Sequence, residues 1–135
     1  GKLQGQSTSC PCSIAQVAAI EALTGDQSEV SLMRNVFKKR RDFIVNRFNN
    51  MNGVHCDTPG GAFYVFPDFS SYMYGDNKIN SSDDFSMYLL NQKAVVTVAG
   101  KAFGSDGNVR FSYAAAENDL KKAMDLVEES LIELE

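Results

Sequence analysis

The chain has 135 residues, enough for one domain and at most two, and long enough to bury roughly two thirds of its unfolded surface. Its 44% hydrophobic and 22% charged residues, with 10 Gly and 3 Pro, exclude disordered, collagen-like and disulfide-scaffold classes. Thirteen basic against 17 acidic side chains leave a net charge of −4, which argues against a nucleic-acid reader with a strong basic field.

Residues 1–12 are small and polar and are expected to form an extended arm, with one domain over 13–135. A start at Gly1 rather than Met is expected of a tag remnant or the cut end of a longer protein. The first five residues lack the apolar core of a signal peptide, and no run approaches the ~20 apolar residues of a membrane helix. Ser13 and Gln16 have capping-box spacing, so a helix is expected to open there, use Ile14, Val17, Ala18 and Leu23 as contacts, and end at Thr24-Gly25. A longer helix is expected over 28–49, with Val30, Met33, Phe37, Ile44 and Phe48 at helical spacing and Val36 and Val45 widening the stripe. Its basic run, Lys38-Lys39-Arg40-Arg41, spreads around the axis and is broken by Asp42, as a solvated face requires.

After Asn52-Gly53 the period changes. Val54 to Asp57 and Ala62 to Phe66 are strand candidates around the turn Thr58-Pro59-Gly60-Gly61. A polar loop over 67–82, containing Tyr72, Tyr74, Gly75 and Asp76, leads to a helix capped by Ser81 and Asp84. Val95 to Val98 is β-branched and reads as a strand, residues 100–107 as a loop, and Val109 to Tyr113 as a further strand. An amphipathic helix with the stripe Leu120, Met124, Val127 and Leu131 closes the chain. The expected class is α+β, a small antiparallel or mixed sheet covered by helices.

Three cysteines, Cys10, Cys12 and Cys56, cannot all pair within one chain, so free thiols in a reducing cytoplasm are expected. Cys10 and Cys12, with His55 and Cys56, are metal-ligand types. Their one-residue gap is tighter than the spacing of about two to four in structural zinc pairs, and no metal is expected. His55 is the sole histidine and has no nucleophile motif near it, so no triad can be assembled. Gly100 to Gly107 precedes a strand instead of opening a helix and lacks a closing Gly-Lys-Ser/Thr, so it is a turn and not a phosphate cradle. Lys101 within it reads as an exposed lysine, with nothing around it to desolvate a Schiff-base amine.

The strand around Arg110 carries the most chemistry. Alternation sends Val109, Phe111 and Tyr113 to one face and Arg110 and Ser112 to the other. An arginine amid apolar strand residues needs an anion, and its planar fork suits a carboxylate. An internal salt bridge or an edge-strand arginine reaching to solvent would satisfy the same pattern. On residues alone the chain holds no complete catalytic apparatus.

Four segments in register resemble the C-terminal part of class I pyridoxal-phosphate-dependent aminotransferases, most closely the bacterial aspartate aminotransferase branch. They are Gln6 to Gln16, Pro59 to Pro67 with Gly-Ala-Phe-Tyr, Val98 to Gly104, and Gly107 to Ala114 around Arg110. The resemblance implies the small C-terminal domain of the fold-type-I transferases, in a cytoplasmic homodimer acting on amino-acid and 2-oxo-acid substrates, with no nucleic-acid or membrane partner. It implies Arg110 as the grip on the substrate α-carboxylate, Phe63 beside the substrate entrance and Phe103 as a wall of the closed site. Ser7, Thr8 and Ser9 match a segment that approaches the cofactor, pyridoxal 5'-phosphate, of the neighbouring subunit. Ala99 stands where the family usually has Pro. The family's Schiff-base lysine, cofactor-stacking aromatic and pyridine-nitrogen Asp have no match here, so the isolated chain is expected to be inactive. A non-catalytic binding module, or another fold-type-I enzyme such as a lyase, remains an alternative.

Overall fold

The computed structural model describes residues 1–7, 10–73 and 79–134. Among the described residues five α-helices and three short strands follow one another as α1 (Lys2–Ser7), α2 (Ser13–Thr24), α3 (Ser28–Asn49), β1 (Tyr64–Val65), α4 (Ser82–Lys93), β2 (Val98–Ala99), β3 (Val109–Ser112) and α5 (Glu117–Leu134). The strands form one antiparallel sheet in the order β1-β3-β2, so β3 is central. Its register pairs Tyr64 with Ser112, Val65 with Phe111, Val98 with Arg110 and Ala99 with Val109. The α+β class expected from periodicity is the class observed.

The chain's contacts divide it into two compact units, Gly1–Met33 and Arg34–Glu135, whereas the sequence places its only division after residue 12. In the first unit Lys2–Ser7 is helical where an extended arm is expected. The Ser13–Gln16 capping box does not form. Cys12 occupies the cap position, Ser13 is already inside the helix, and Gln16 Nε2 donates back to the Pro11 carbonyl at 2.8 Å. Ile14, Val17 and Leu23 are exposed, so α2 buries no side chain.

In the second unit one face of the sheet closes a core against α3, α4 and α5. Val65, Val109, Phe111 and Tyr113 point into it and meet Ile44, Val45 and Phe48 of α3, Phe85 and Leu89 of α4, and the full α5 stripe Leu120, Met124, Val127 and Leu131. The α3 stripe is buried only at its C-terminal end, while Val30, Met33 and Val36 stay exposed. Phe48 is the centre of an aromatic cluster, 4.9 Å from Phe111 and 5.8 Å from Phe69 between ring centroids. Arg47 clamps α3 to α5 through Asp125 and Glu128, both at 2.9 Å. Lys93 at the end of α4 reaches Glu133 of α5 at 2.6 Å, and Tyr88 donates to the same carboxylate. Arg41 of the basic run pairs with Asp42 and donates to the Pro59 carbonyl, and Lys38 and Lys39 face solvent.

The strands are shorter than the apolar runs that announce them, each for a local reason. Cys56 has its N–H and carbonyl occupied by the Asn49 side chain, so Val54 to Asp57 keeps a single bridge, His55 to Asp68. Burial pushes the Cys56 thiol up to about 11. Ala62 has φ +60°, incompatible with a strand, and β1 therefore begins at Tyr64. Val95 donates its N–H to the Leu89 carbonyl as part of the α4 terminus, which delays β2 to Val98. Tyr72 and Met73 are buried although they lie in the polar stretch 67–82, and Tyr74, Gly75 and Asp76 fall outside the described residues.

Ser81 caps α4 as expected, accepting from the Asp84 N–H. At the other end Ala94 adopts the left-handed conformation, φ 55° and ψ 29°, with its N–H on the Leu89 and Leu90 carbonyls. An L residue strains there and glycine does not. Ala94→Gly is expected to raise stability by about 0.5–1 kcal/mol, the relief of strain exceeding the extra unfolded-state entropy. A fall in the denaturation midpoint would contradict this.

Candidate functional site

The face of β3 turned away from the core carries Arg110 and Ser112, as alternation expects. Arg110 is half-buried, and among the described residues it does not form the internal salt bridge that its position could have satisfied. Among the described residues its guanidinium makes neither an ion pair nor a hydrogen bond. Its cationic carbon lies instead over two rings. Its Cζ lies 4.3 Å from the Tyr64 centroid and 4.7 Å from that of Phe103. Ring faces attract the cation without using its N–H donors, which lie around the rim of the plane. The donors thus stay available to an external anion in an open cleft of about 470 Å³, lined also by Asp57, Pro59, Phe66 and Asn108.

The loop between β2 and β3 sets one wall of this cleft. It opens with a turn of 3-10 helix, Gly100–Phe103, that presents the Phe103 ring to Arg110 and packs its edge on Phe66 at 5.9 Å. The loop is closed on itself: Gly100 donates to the Asn108 carbonyl and Ser105 to the Gly100 carbonyl. A Cβ on Gly100 would collide with the carbonyl oxygens of both Asn108 and Ser105, so glycine is required. Asn108 fastens the loop to β1, donating from Nδ2 to the Phe66 carbonyl at 2.9 Å.

A second fastening runs to α4. The buried Ser82 donates its N–H and its hydroxyl to one Asp106 oxygen, at 2.9 and 2.8 Å, and its Oγ accepts from the Lys101 N–H. Asp106 thus supplies charge and an acceptor at a helix N-terminus. The Ser82 N–H, and next its hydroxyl, hold the Asp106 carboxyl below the usual carboxylate range. A depressed folded pKa stabilises the fold above the ordinary value of about 3.9, and the contribution is lost as pH falls through the folded value. Stability is expected to fall more steeply below about pH 5 in the wild type than in Asp106→Asn. Parallel acid-unfolding curves would refute the role of this carboxylate.

Of the residues expected at a site, Arg110 and Phe103 come together in the cleft. Phe63 stands one ring removed, tilted against Tyr64 at 4.4 Å between centroids and absent from the lining. Ser7 is exposed on α1 and turns its hydroxyl to the Leu3 carbonyl, and Thr8 and Ser9 lie outside the described residues. Lys101 is 63% exposed and 3.8 Å from Asp83, as expected of a loop lysine. Tyr64, Asn108 and Asp57 are cleft residues that the motif reading did not single out. Tyr64 was findable in principle, because it alternates with Val65, but only the register with Ser112 places its ring beside Arg110. The described residues therefore fit recognition of a carboxylate.

A family model described as aminotransferase class I and II matches residues 2–127. The chain is 46% identical over 127 residues to an aspartate/prephenate aminotransferase of Cereibacter sphaeroides, covering 91% of this chain and 32% of that protein. It is 42% identical to an aspartate aminotransferase of Pinus pinaster, covering 98% of the chain and 28% of the relative. Among solved structures it resembles the aspartate aminotransferase of Rhizobium meliloti, with a TM-score of 0.86 and 38% identity over 95% of this chain and 33% of the other. The chain thus spans about a third of the length of these relatives.

Proposed function

The chain belongs to the class I and II aminotransferase family, and from that premise we propose that it is the small domain of an enzyme moving an amino group from an amino acid, aspartate first, to a 2-oxo acid. The observation that carries this reading is the Arg110 guanidinium, set over two rings, free of any anion among the described residues, and open to a cleft on the central strand. A carboxylate is the ligand such a fork fits best. The relatives named for aspartate make that the first substrate to try.

In this reading Arg110 binds the α-carboxylate, Phe103 walls the site and Phe63 stands at its entrance. Holding the α-carboxylate fixes which bond of the substrate faces the reacting group. The family implies pyridoxal 5'-phosphate as the amino-group carrier, held covalently by residues beyond this chain, in a homodimer where residues 7–9 approach the partner's cofactor. The full-length protein is expected to convert aspartate and a 2-oxo acid to oxaloacetate and the matching amino acid, and the isolated 135-residue chain is expected to convert neither. Turnover by the isolated chain would sink the division of labour. A full-length protein that transaminates no α-amino acid would sink the function.

A further inference from the structure

The geometry points to Tyr64 as a positioning residue for Arg110: its ring fixes the plane of the guanidinium so that the fork meets a carboxylate edge-on. The inference rests on the reading of Arg110 as the carboxylate grip. An arginine side chain has several freely turning bonds, and two parallel hydrogen bonds to a carboxylate form only when fork and carboxylate share a plane. A ring lying under the guanidinium removes that freedom while leaving every N–H donor at the rim unspent.

Tyr64 is better placed for this than Phe103. It is the nearer ring, at 4.3 Å against 4.7 Å. Its backbone is paired with Ser112, two residues along the strand that carries Arg110, so ring and guanidinium are mounted on the same sheet. Tyr64 is half-buried and backed by Phe63, whereas Phe103 is 51% exposed and rides on a loop. What Tyr64 offers Arg110 is its ring face, 4.3 Å from the Cζ, and among the described residues its hydroxyl makes no hydrogen bond.

The test uses the full-length enzyme with Tyr64→Leu, Tyr64→Phe, Arg110→Ala and Arg110→Lys, assayed together with aspartate. Tyr64→Leu is expected to raise KM about fivefold to tenfold with kcat within about twofold, the scale of one partly desolvated cation–π contact. Tyr64→Phe restores the wild-type KM, and in the Arg110→Lys background the effect of Tyr64→Leu shrinks, because an ammonium has no plane to hold. Should Tyr64→Leu fail to fold, Tyr64→Met, unbranched and of similar length, takes its place. An unchanged KM in the Leu or Met variant, with Arg110→Ala impaired, overturns the role of Tyr64 alone. A Tyr64→Phe variant as impaired as Tyr64→Leu also overturns it, by assigning the work to the hydroxyl. Arg110→Ala within tenfold of wild type overturns the carboxylate grip itself, and the positioning claim with it.

Discussion

Arg110→Ala in the full-length enzyme is expected to lower kcat/KM for an α-amino acid by about a hundredfold to a thousandfold, or ~3–4 kcal/mol. The loss is large because two charge-assisted hydrogen bonds go at once and the substrate carboxylate enters the cleft without a counter-charge. Among the described residues no other cation lines the cleft: Lys101 lies outside its lining, 3.8 Å from Asp83, and Asp57, which lines it, carries the wrong sign. Arg110→Lys is expected to recover part of the loss, since an ammonium restores the charge but not the fork. Thermal stability should change little, because among the described residues the guanidinium makes ring contacts but no ion pair or hydrogen bond. Steady-state kinetics beside a melting curve separate the two effects, and a loss below tenfold would remove Arg110 from substrate binding.

Phe48→Ala is expected to destabilise the protein by about 3–5 kcal/mol, the cost of deleting a buried phenyl ring and leaving a cavity that does not fully collapse. Phe48 has no exposed surface and sits edge-on to Phe111 and Phe69, which in turn packs on Phe85 of α4 at 4.7 Å. Phe48 thus joins α3 to β3 directly and to α4 through Phe69. Neighbouring rings on three elements cannot all close the gap without moving the sheet, so the cavity persists. Phe111 is adjacent to Arg110 on β3, and a shift of one moves the backbone that aims the other. Phe48→Leu, which keeps most of the volume, should cost less than half as much. The check is a denaturant midpoint shift at unchanged slope, and a loss under about 1 kcal/mol would contradict the packing described.

Periodicity alone revealed a good part of this. The 3.6-residue stripe of α5 and the bounds of α3 follow from the sequence because side-chain spacing on a helix is a local property. The Ser81 cap is equally local, a hydroxyl three residues before the N–H it accepts from. Alternation also placed Arg110 opposite Phe111 before any partner strand was known, and the ordered run of motifs pointed to the aminotransferase family that the comparisons establish.

Whatever depended on a second segment was decided by the tertiary structure. The capping box over Ser13 and Gln16 is absent because Gln16 found the Pro11 carbonyl, and Val54 to Asp57 is no strand because Asn49 took the backbone groups of Cys56. Val30, Met33 and Val36 of the α3 stripe are exposed, since a stripe states only that a side chain is apolar and not that a layer covers it. The rings on Arg110 illustrate the point most directly. Tyr64 and Phe103 lie 46 and 7 residues from it in sequence, by simple subtraction of their numbers, and only the pairing of β1 with β3 and the closed loop after β2 bring both to one guanidinium. Sequence determines which residue carries the charge and which way it points. The sheet register determines what surrounds that charge, and so whether it is spent on the protein or kept for a ligand.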